Sequence, residues 1–322
     1  MKLIIPTDGN YLEPAFITLD SLAANAPKGT KICMLFLRDS TEDDAIYEQL
    51  IAEALAHFSK QYAEKIEFSC VAVQSQYFKD FSRFHLTSAT LQKLVIPAIF
   101  PSEEICLSID AGMIFGNKTT EFLACVEKPS IAAITAFTTA ASATLHESQL
   151  SIEHHVLYPA GGILAFRPAA YNNNDLLNRC IKTFETLRNQ IIYGEQDIIN
   201  FTLQGTELSD FSYAEKRIHI DLANNASWTE ADDLVHSYLS KEYLYMKHVG
   251  VFKPWRRWVL SPAKSIYAHA VSKLPEAINI LTKHPKMASQ HASSDKFSAH
   301  YFEHQLQMYE NYLSISIDRK IN

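Results

Sequence analysis

Hydrophobic residues in the first half of the chain come in short, largely apolar runs separated by longer, helically spaced stretches. The runs at residues 2–6, 31–37, 66–73 and 104–109 read as strands, and 131–136 and 162–166 as later ones. Between them, residues 14–24 put Phe16, Leu19 and Leu22 on one face, and residues 41–60 do the same with Ile46, Leu50, Ile51 and Leu55. That is the spacing of amphipathic helices. It returns over 174–190 and 196–203, while 217–220 and 243–247 read as short strands. Strand and helix in turn predict an α/β fold, with a mixed, mostly parallel sheet flanked by helices. There is no internal repeat, and the polar, Ser-rich residues 287–296 read as a linker.

Length and composition narrow this picture. At 322 residues the chain exceeds a typical domain of about 100–200 residues, although α/β enzymes of about 250 often form one domain. We therefore expect a main domain over residues 1–252 and a helical extension over 253–322. The 47% hydrophobic and 20% charged content is that of a soluble globular protein. A net charge of −7 argues against nucleic acid as the partner. No apolar run approaches the roughly 18 residues of a membrane span, and the chain enters its first strand at once with no leader-like segment. A cytoplasmic protein is expected. Cys33, Cys70, Cys106, Cys125 and Cys180 have no Cys-x-x-Cys spacing and are expected to be buried free thiols.

Three segments carry candidate chemistry. His248-Val-Gly-Val-Phe-Lys253-Pro-Trp255 combines an imidazole suited to Mn²⁺ or Zn²⁺, a glycine that permits close backbone approach, and a lysine for phosphate oxygens. The alternative is an ordinary turn after the strand 243–247. Far upstream, an apolar strand ends in Asp110-Ala111-Gly112, and strand ends carry sites in α/β sheets. The first strand ends in Pro6-Thr7-Asp8-Gly9-Asn10-Tyr11, which delivers polar groups and one ring to the same sheet edge. Asp8 or Asn10 could equally cap the following helix.

Together with His85-Leu-Thr-Ser-Ala-Thr-Leu-Gln-Lys93-Leu-Val-Ile-Pro97, Ala160-Gly-Gly-Ile-Leu-Ala-Phe166 and Glu195-Gln196-Asp197-Ile-Ile-Asn200, these segments occur in the order found in one family. Over residues 1–258 the chain resembles the family 8 retaining glycosyltransferases. These are GT-A enzymes that use a nucleotide-diphosphate sugar and Mn²⁺ or Mg²⁺. Within that family it looks most like the bacterial lipopolysaccharide and lipooligosaccharide glucosyl- and galactosyltransferases. The resemblance implies UDP-glucose or UDP-galactose as donor and a lipid-linked oligosaccharide as acceptor. It places Pro6, Asp8 and Asn10 around uracil and ribose, Tyr11 on the base, and Lys93, Ala111, Gly250 and Lys253 along the rest of the nucleotide. Asp110 and His248 would be the metal ligands. Glu195 would touch the donor sugar, and Gln196 would lie under the anomeric carbon. The leaving diphosphate would take the proton of the incoming hydroxyl. A bland reading of Glu195-Gln196-Asp197 is an acidic helix N-terminus.

The chain departs from the family in three places. Relatives carry Asp-x-Asp where this sequence has Asp110-Ala111-Gly112, an arginine where Lys93 stands, and an asparagine where Ala160 stands. Either this is a divergent active enzyme, or a catalytically silent nucleotide-sugar-binding protein of a glycan-assembly complex. Beyond these segments, residues 253–286 carry seven Lys/Arg against the single acid Glu276, interleaved with Trp255, Trp258 and Tyr267. This suggests an anionic membrane surface at the inner face of the cytoplasmic membrane, or else a helical cap on the main domain. His154 and His155 carry no metal geometry, and Asp221 and Thr135 end strands without an assigned role. Residues 298–315 read as a last helix.

Overall fold

The computed structural model describes residues 1–38, 43–74, 77–78, 81–83, 86–127, 132–138, 158–191, 193–203, 207–211, 213, 216–221, 228–249, 253–255 and 262–281. The linker 287–296, the helix 298–315, the pair His154 and His155, Trp258 and Gly250 lie outside them. The chain begins β1 (Lys2–Thr7), α1 (Leu12–Asn25), β2 (Thr30–Arg38), α2 (Asp44–Gln61), β3 (Ile66–Gln74). A small ribbon, β4 (Ser82–Arg83) with β5 (Leu86–Thr87), leads into the helical turns α3 (Ser88–Leu91) and α4 (Ile96–Ile99). Next come β6 (Cys106–Ile109), β7 (Met113–Phe115), α5 (Thr119–Val126), β8 (Ile134–Thr138) and β9 (Pro159–Phe166). The remainder is α6 (Pro168–Asn173), α7 (Leu176–Leu187), α8 (Glu195–Thr202), β10 (Leu208–Asp210), β11 (Arg217–Asp221), α9 (Trp228–Ser240), β12 (Tyr245–Val249), α10 (Pro262–Lys273) and α11 (Glu276–Leu281).

Seven strands form the main sheet in the order β10-β8-β9-β6-β1-β2-β3. β6, β1, β2 and β3 run parallel, and β9 runs antiparallel to both β6 and β8. The chain leaves β1 toward β2 and β3, then returns to place β6 on the other side of β1. A crevice therefore opens at the carboxyl ends of β1 and β6, the usual ligand position in such sheets. A second sheet, β11-β12-β7, stands beside it.

Side-chain alternation explains the two-sided packing. Leu3 and Ile5 of β1, with Ile32, Met34 and Phe36 of β2, face one core together with α1 and α2. Ile4, Cys33, Leu35 and Leu37 face the other, with α7 and α8. A strand covered on both faces has no polar alternation to show, hence the unbroken apolar runs. β3 closes one edge of the sheet, and there Cys70 is exposed rather than buried as expected. Cys33, Cys106 and Cys180 are buried, Cys125 is partly so, and all five are free.

Several expected boundaries moved, among them the start of β9 at Pro159 and of β6 at Cys106. The strand expected over 131–136 is Ile134–Thr138, set by its pairing with β9 and β10. The helix expected over 174–190 is α7, preceded by the separate α6 because Asp175 takes a left-handed φ of 52° between them. The strand expected over 243–247 runs on to Val249, so His248 lies within β12 and not in a following loop. At the carboxyl end, Ile266, Tyr267, Ala270, Leu274 and Ile278 are buried in the same core as β1 and α1. Tyr267 donates a 2.8 Å hydrogen bond to Glu13 Oε1. The apolar face of the basic segment is thus turned inward. Among the described residues, no helix is long and apolar enough to cross a membrane.

Candidate active site

A cavity of about 300 Å³ opens at the crevice predicted by the topology. β1 contributes Pro6 and Thr7, with Asp8 and Tyr11 from the turn that follows. The end of β6 gives Asp110 and Ala111, the start of α8 gives Glu195 and Gln196, and β12 gives Lys247, His248 and Val249. Lys93, Lys253, Thr90 and Tyr193 add to the polar lining. Of the residues singled out from the sequence, Asn10 is exposed and absent from this wall, and its N–H is bound at 2.9 Å by Asp8 Oδ1. Asp8 therefore both caps the turn and faces the cavity. Thr135, which had no assigned role, pairs with Ser209 at 2.9 Å.

The floor is an ion cluster. Lys93 Nζ is 2.7 Å from Glu195 Oε1 and 2.8 Å from the Gly161 carbonyl, and it also contacts Asp110 Oδ1. Lys247 Nζ holds the other oxygen, Asp110 Oδ2, at 2.6 Å. Both glycines of Ala160-Gly161-Gly162 are needed for this packing. A Cβ on Gly161 would fall 1.9 Å from Glu195 Oε1, and one on Gly162 would fall 2.7 Å from Lys247 Nζ. Burial opposes the charge on Lys93, but Asp110 and Glu195 outweigh it and raise its pKa. Burial also opposes the charge on Asp110, yet Lys247 and Lys93 together pull its pKa down to about 2. Glu195 moves the other way, raised chiefly by burial, because it has one ammonium partner and not two. Its Oε2 is buried with no hydrogen-bond partner among the described residues.

The third residue of the Glu195-Gln196-Asp197 triple is structural. Asp197 accepts the Tyr158 hydroxyl and the Tyr193 N–H, which fixes the entry to α8 and aims Glu195 and Gln196 at the cavity. On the opposite wall Lys253 Nζ donates to the His248 carbonyl at 2.7 Å and lies 5.7 Å from the Trp255 ring centre. Trp255 makes an edge contact with Tyr11 at 5.6 Å and packs on Tyr267, which also meets the His248 ring edge-on.

A divalent ion would want about six ligands, mostly oxygen. Here Asp110 has an ammonium at each oxygen. Gly112 offers no carboxylate: its φ is +88°, and a Cβ there would meet Trp255 at 2.9 Å. Among the described residues, no group of three or more His, Cys, Asp and Glu could hold a metal ion. In this arrangement Asp110 could ligate a divalent ion only by displacing one of its two ammonium partners.

Sequence reasoning missed Lys247, Gly161 and Gly162. For Lys247 the signal was its place next to His248. Its significance depends on the pairing Lys247↔Met113, which brings β12 against the strand that follows the Asp110–Gly112 turn.

No curated protein matches the chain by sequence. Among solved structures, the galactosyltransferase LgtC, in complex with donor and acceptor sugar analogues, is similar with a TM-score of 0.63 at 16% identity. The match covers 86% of this chain and 98% of that one. The bifunctional glycosyltransferase WbbM matches over 91% of this chain and 51% of its own, with a TM-score of 0.57 and 13% identity. GlyE of Streptococcus pneumoniae matches over 88% and 62%, with a TM-score of 0.56 and 16% identity. At these identities the likeness shows the fold, which is the GT-A glycosyltransferase fold of LgtC. The model of glycosyl transferase family 8 matches residues 2–259. The chain belongs to glycosyl transferase family 8.

Proposed function

We propose that this protein is a configuration-retaining hexosyltransferase that moves glucose or galactose from UDP-glucose or UDP-galactose to a lipid-linked saccharide, in lipopolysaccharide or lipooligosaccharide synthesis. The supporting observation is the convergence, on one cavity at the switch point of the sheet, of an aromatic ring, three lysines and the Glu195-Gln196 pair. Tyr11 supplies a face for the uracil. Lys247 and Lys253, which also line the cavity, supply positive charge where a diphosphate would lie. In transfer, the bond between the anomeric carbon and the diphosphate oxygen breaks as the acceptor oxygen bonds to that carbon. The acceptor proton passes to the departing diphosphate, whose growing charge the lysines stabilise. Gln196, at the N-terminal turn of α8, lines the cavity, and its amide oxygen stabilises positive character at the anomeric carbon.

A second reading, a silent nucleotide-sugar-binding protein, is favoured by one observation. Lys93 and Lys247 hold Asp110 in ion pairs, and Gly112 stands where relatives carry a carboxylate. UDP release from a panel of UDP-sugars, followed with and without Mn²⁺, separates the two. Release above background that Gln196→Ala abolishes supports the transferase. UDP binding by calorimetry with no release from any donor supports the silent protein.

A further inference from the structure

We infer that Lys247 donates to the oxygens of the donor's diphosphate, so that this chain binds a nucleoside diphosphate without a divalent metal ion. This rests on the nucleotide-sugar reading above and names the group that meets its most charged part. Lys247 is brought to the cavity by strand register: it pairs with Met113, just past the Asp110–Gly112 turn, and its ammonium lies 2.6 Å from Asp110 Oδ2. Gly162 leaves room for it, since any Cβ there would come within 2.7 Å of Nζ.

The two lysines on Asp110 differ. Lys93 is almost wholly buried, with a side-chain exposure of 7%, and it is committed to Glu195, Asp110 and the Gly161 carbonyl. Lys247 keeps 21% of its side chain exposed and lines the cavity. An ammonium has three donors, and the bond to Asp110 uses one of them. A divalent ion entering at Asp110 would have to displace one of these ammonium groups and leave it beside a dication. Repulsion there is poorly screened, because the site is largely out of water. The backbone at Gly112 and the Trp255 ring together exclude a second carboxylate that could offset that repulsion. With one donor on Asp110, the Lys247 ammonium has others to give to phosphate oxygens.

Isothermal calorimetry of the whole protein with UDP and with uridine, in EDTA and then in Mn²⁺, tests this. We expect UDP to bind in EDTA, with Mn²⁺ changing its affinity by less than about threefold. Lys247→Met, which keeps the apolar stem, should weaken UDP in EDTA by about tenfold or more, as expected for losing a charge-assisted hydrogen bond, and leave uridine unchanged. Lys247→Arg should retain most of the affinity. UDP binding that vanishes in EDTA and returns with Mn²⁺ overturns the inference but leaves the nucleotide reading standing. Unchanged UDP affinity in a folded Lys247→Met protein also overturns it. If UDP binds under neither condition, the nucleotide reading fails and takes the inference with it.

Discussion

Asp110 and Gly112, two residues apart, show how one backbone turn fixes both charge and shape. With its carboxyl pulled down to about 2 from an ordinary 3.8, Asp110 binds fewer protons when folded than when unfolded over that interval. Stability therefore rises with pH there: the Asp110 contribution is complete above pH 4 and is lost as pH falls toward 2. Urea unfolding of the wild type and Asp110→Asn at pH 5 and 2.5 should show the gap between them shrinking by about 1–2 kcal/mol. A gap independent of pH would remove the ion cluster from the stability of the fold. Gly112→Asp would mimic the Asp-x-Asp pattern of the relatives, but it puts a Cβ 2.9 Å from Trp255 on backbone with φ +88°. It should destabilise the protein by about 1–3 kcal/mol and fail to tighten Mn²⁺. Tighter Mn²⁺ in a fully stable variant would contradict this. For Tyr11, Tyr11→Ala should weaken UDP by about 1–3 kcal/mol if the ring stacks on the base, as calorimetry would report.

Among the elements, α10 matters beyond its basic surface. Its Tyr267 is 4% exposed, packs on Trp255 and His248, and donates to Glu13 of α1. Burial raises the Glu13 carboxyl, and the Tyr267 hydroxyl partly offsets that. α10 thus braces the wall that carries Tyr11 and His248. Tyr267→Ala should lower unfolding free energy by about 3–5 kcal/mol, as for other large buried aromatic side chains. Chemical denaturation showing a loss under about 1 kcal/mol would mean that the helix docks only loosely. Such a variant should also bind UDP more weakly, since Trp255 loses its support.

The whole molecule is acidic at −7, yet residues 253–286 carry seven Lys/Arg against one acid. With their apolar face committed to the core, α10 and α11 can offer a membrane only electrostatic attraction. Co-sedimentation with vesicles containing anionic lipid should then be strong at low salt and fall steeply by about 0.5 M salt, where the Debye length is only a few Å. Binding that persists at high salt, or that does not depend on anionic lipid, would argue for an apolar anchor instead.

Local pattern and long-range register divide what could be read from this chain. Apolar runs announced β1, β2 and β6, because strands covered on both faces need no polar alternation, whereas β3 at the sheet edge was read from a run broken by Glu67 and Ser69. The carboxylates Asp8 and Asp110 could be placed at strand ends because each directly follows such a run. Glu195 and Gln196 were legible as a helix start for the same local reason. Tertiary structure alone decided the partners of Asp110: Lys93 arrives from a helical turn and Lys247 from a strand 137 positions away, set in place by the β7–β12 ladder. It also decided that a side chain on Gly161 or Gly162 would push aside the Glu195 carboxylate or the Lys247 ammonium, that Asn10 faces outward, and that α10 and α11 turn their apolar face to the core. Hydrophobic period is written within a few residues, so sequence reveals it. Charge pairing and clearance depend on strand register across the sheet, which only the folded chain determines.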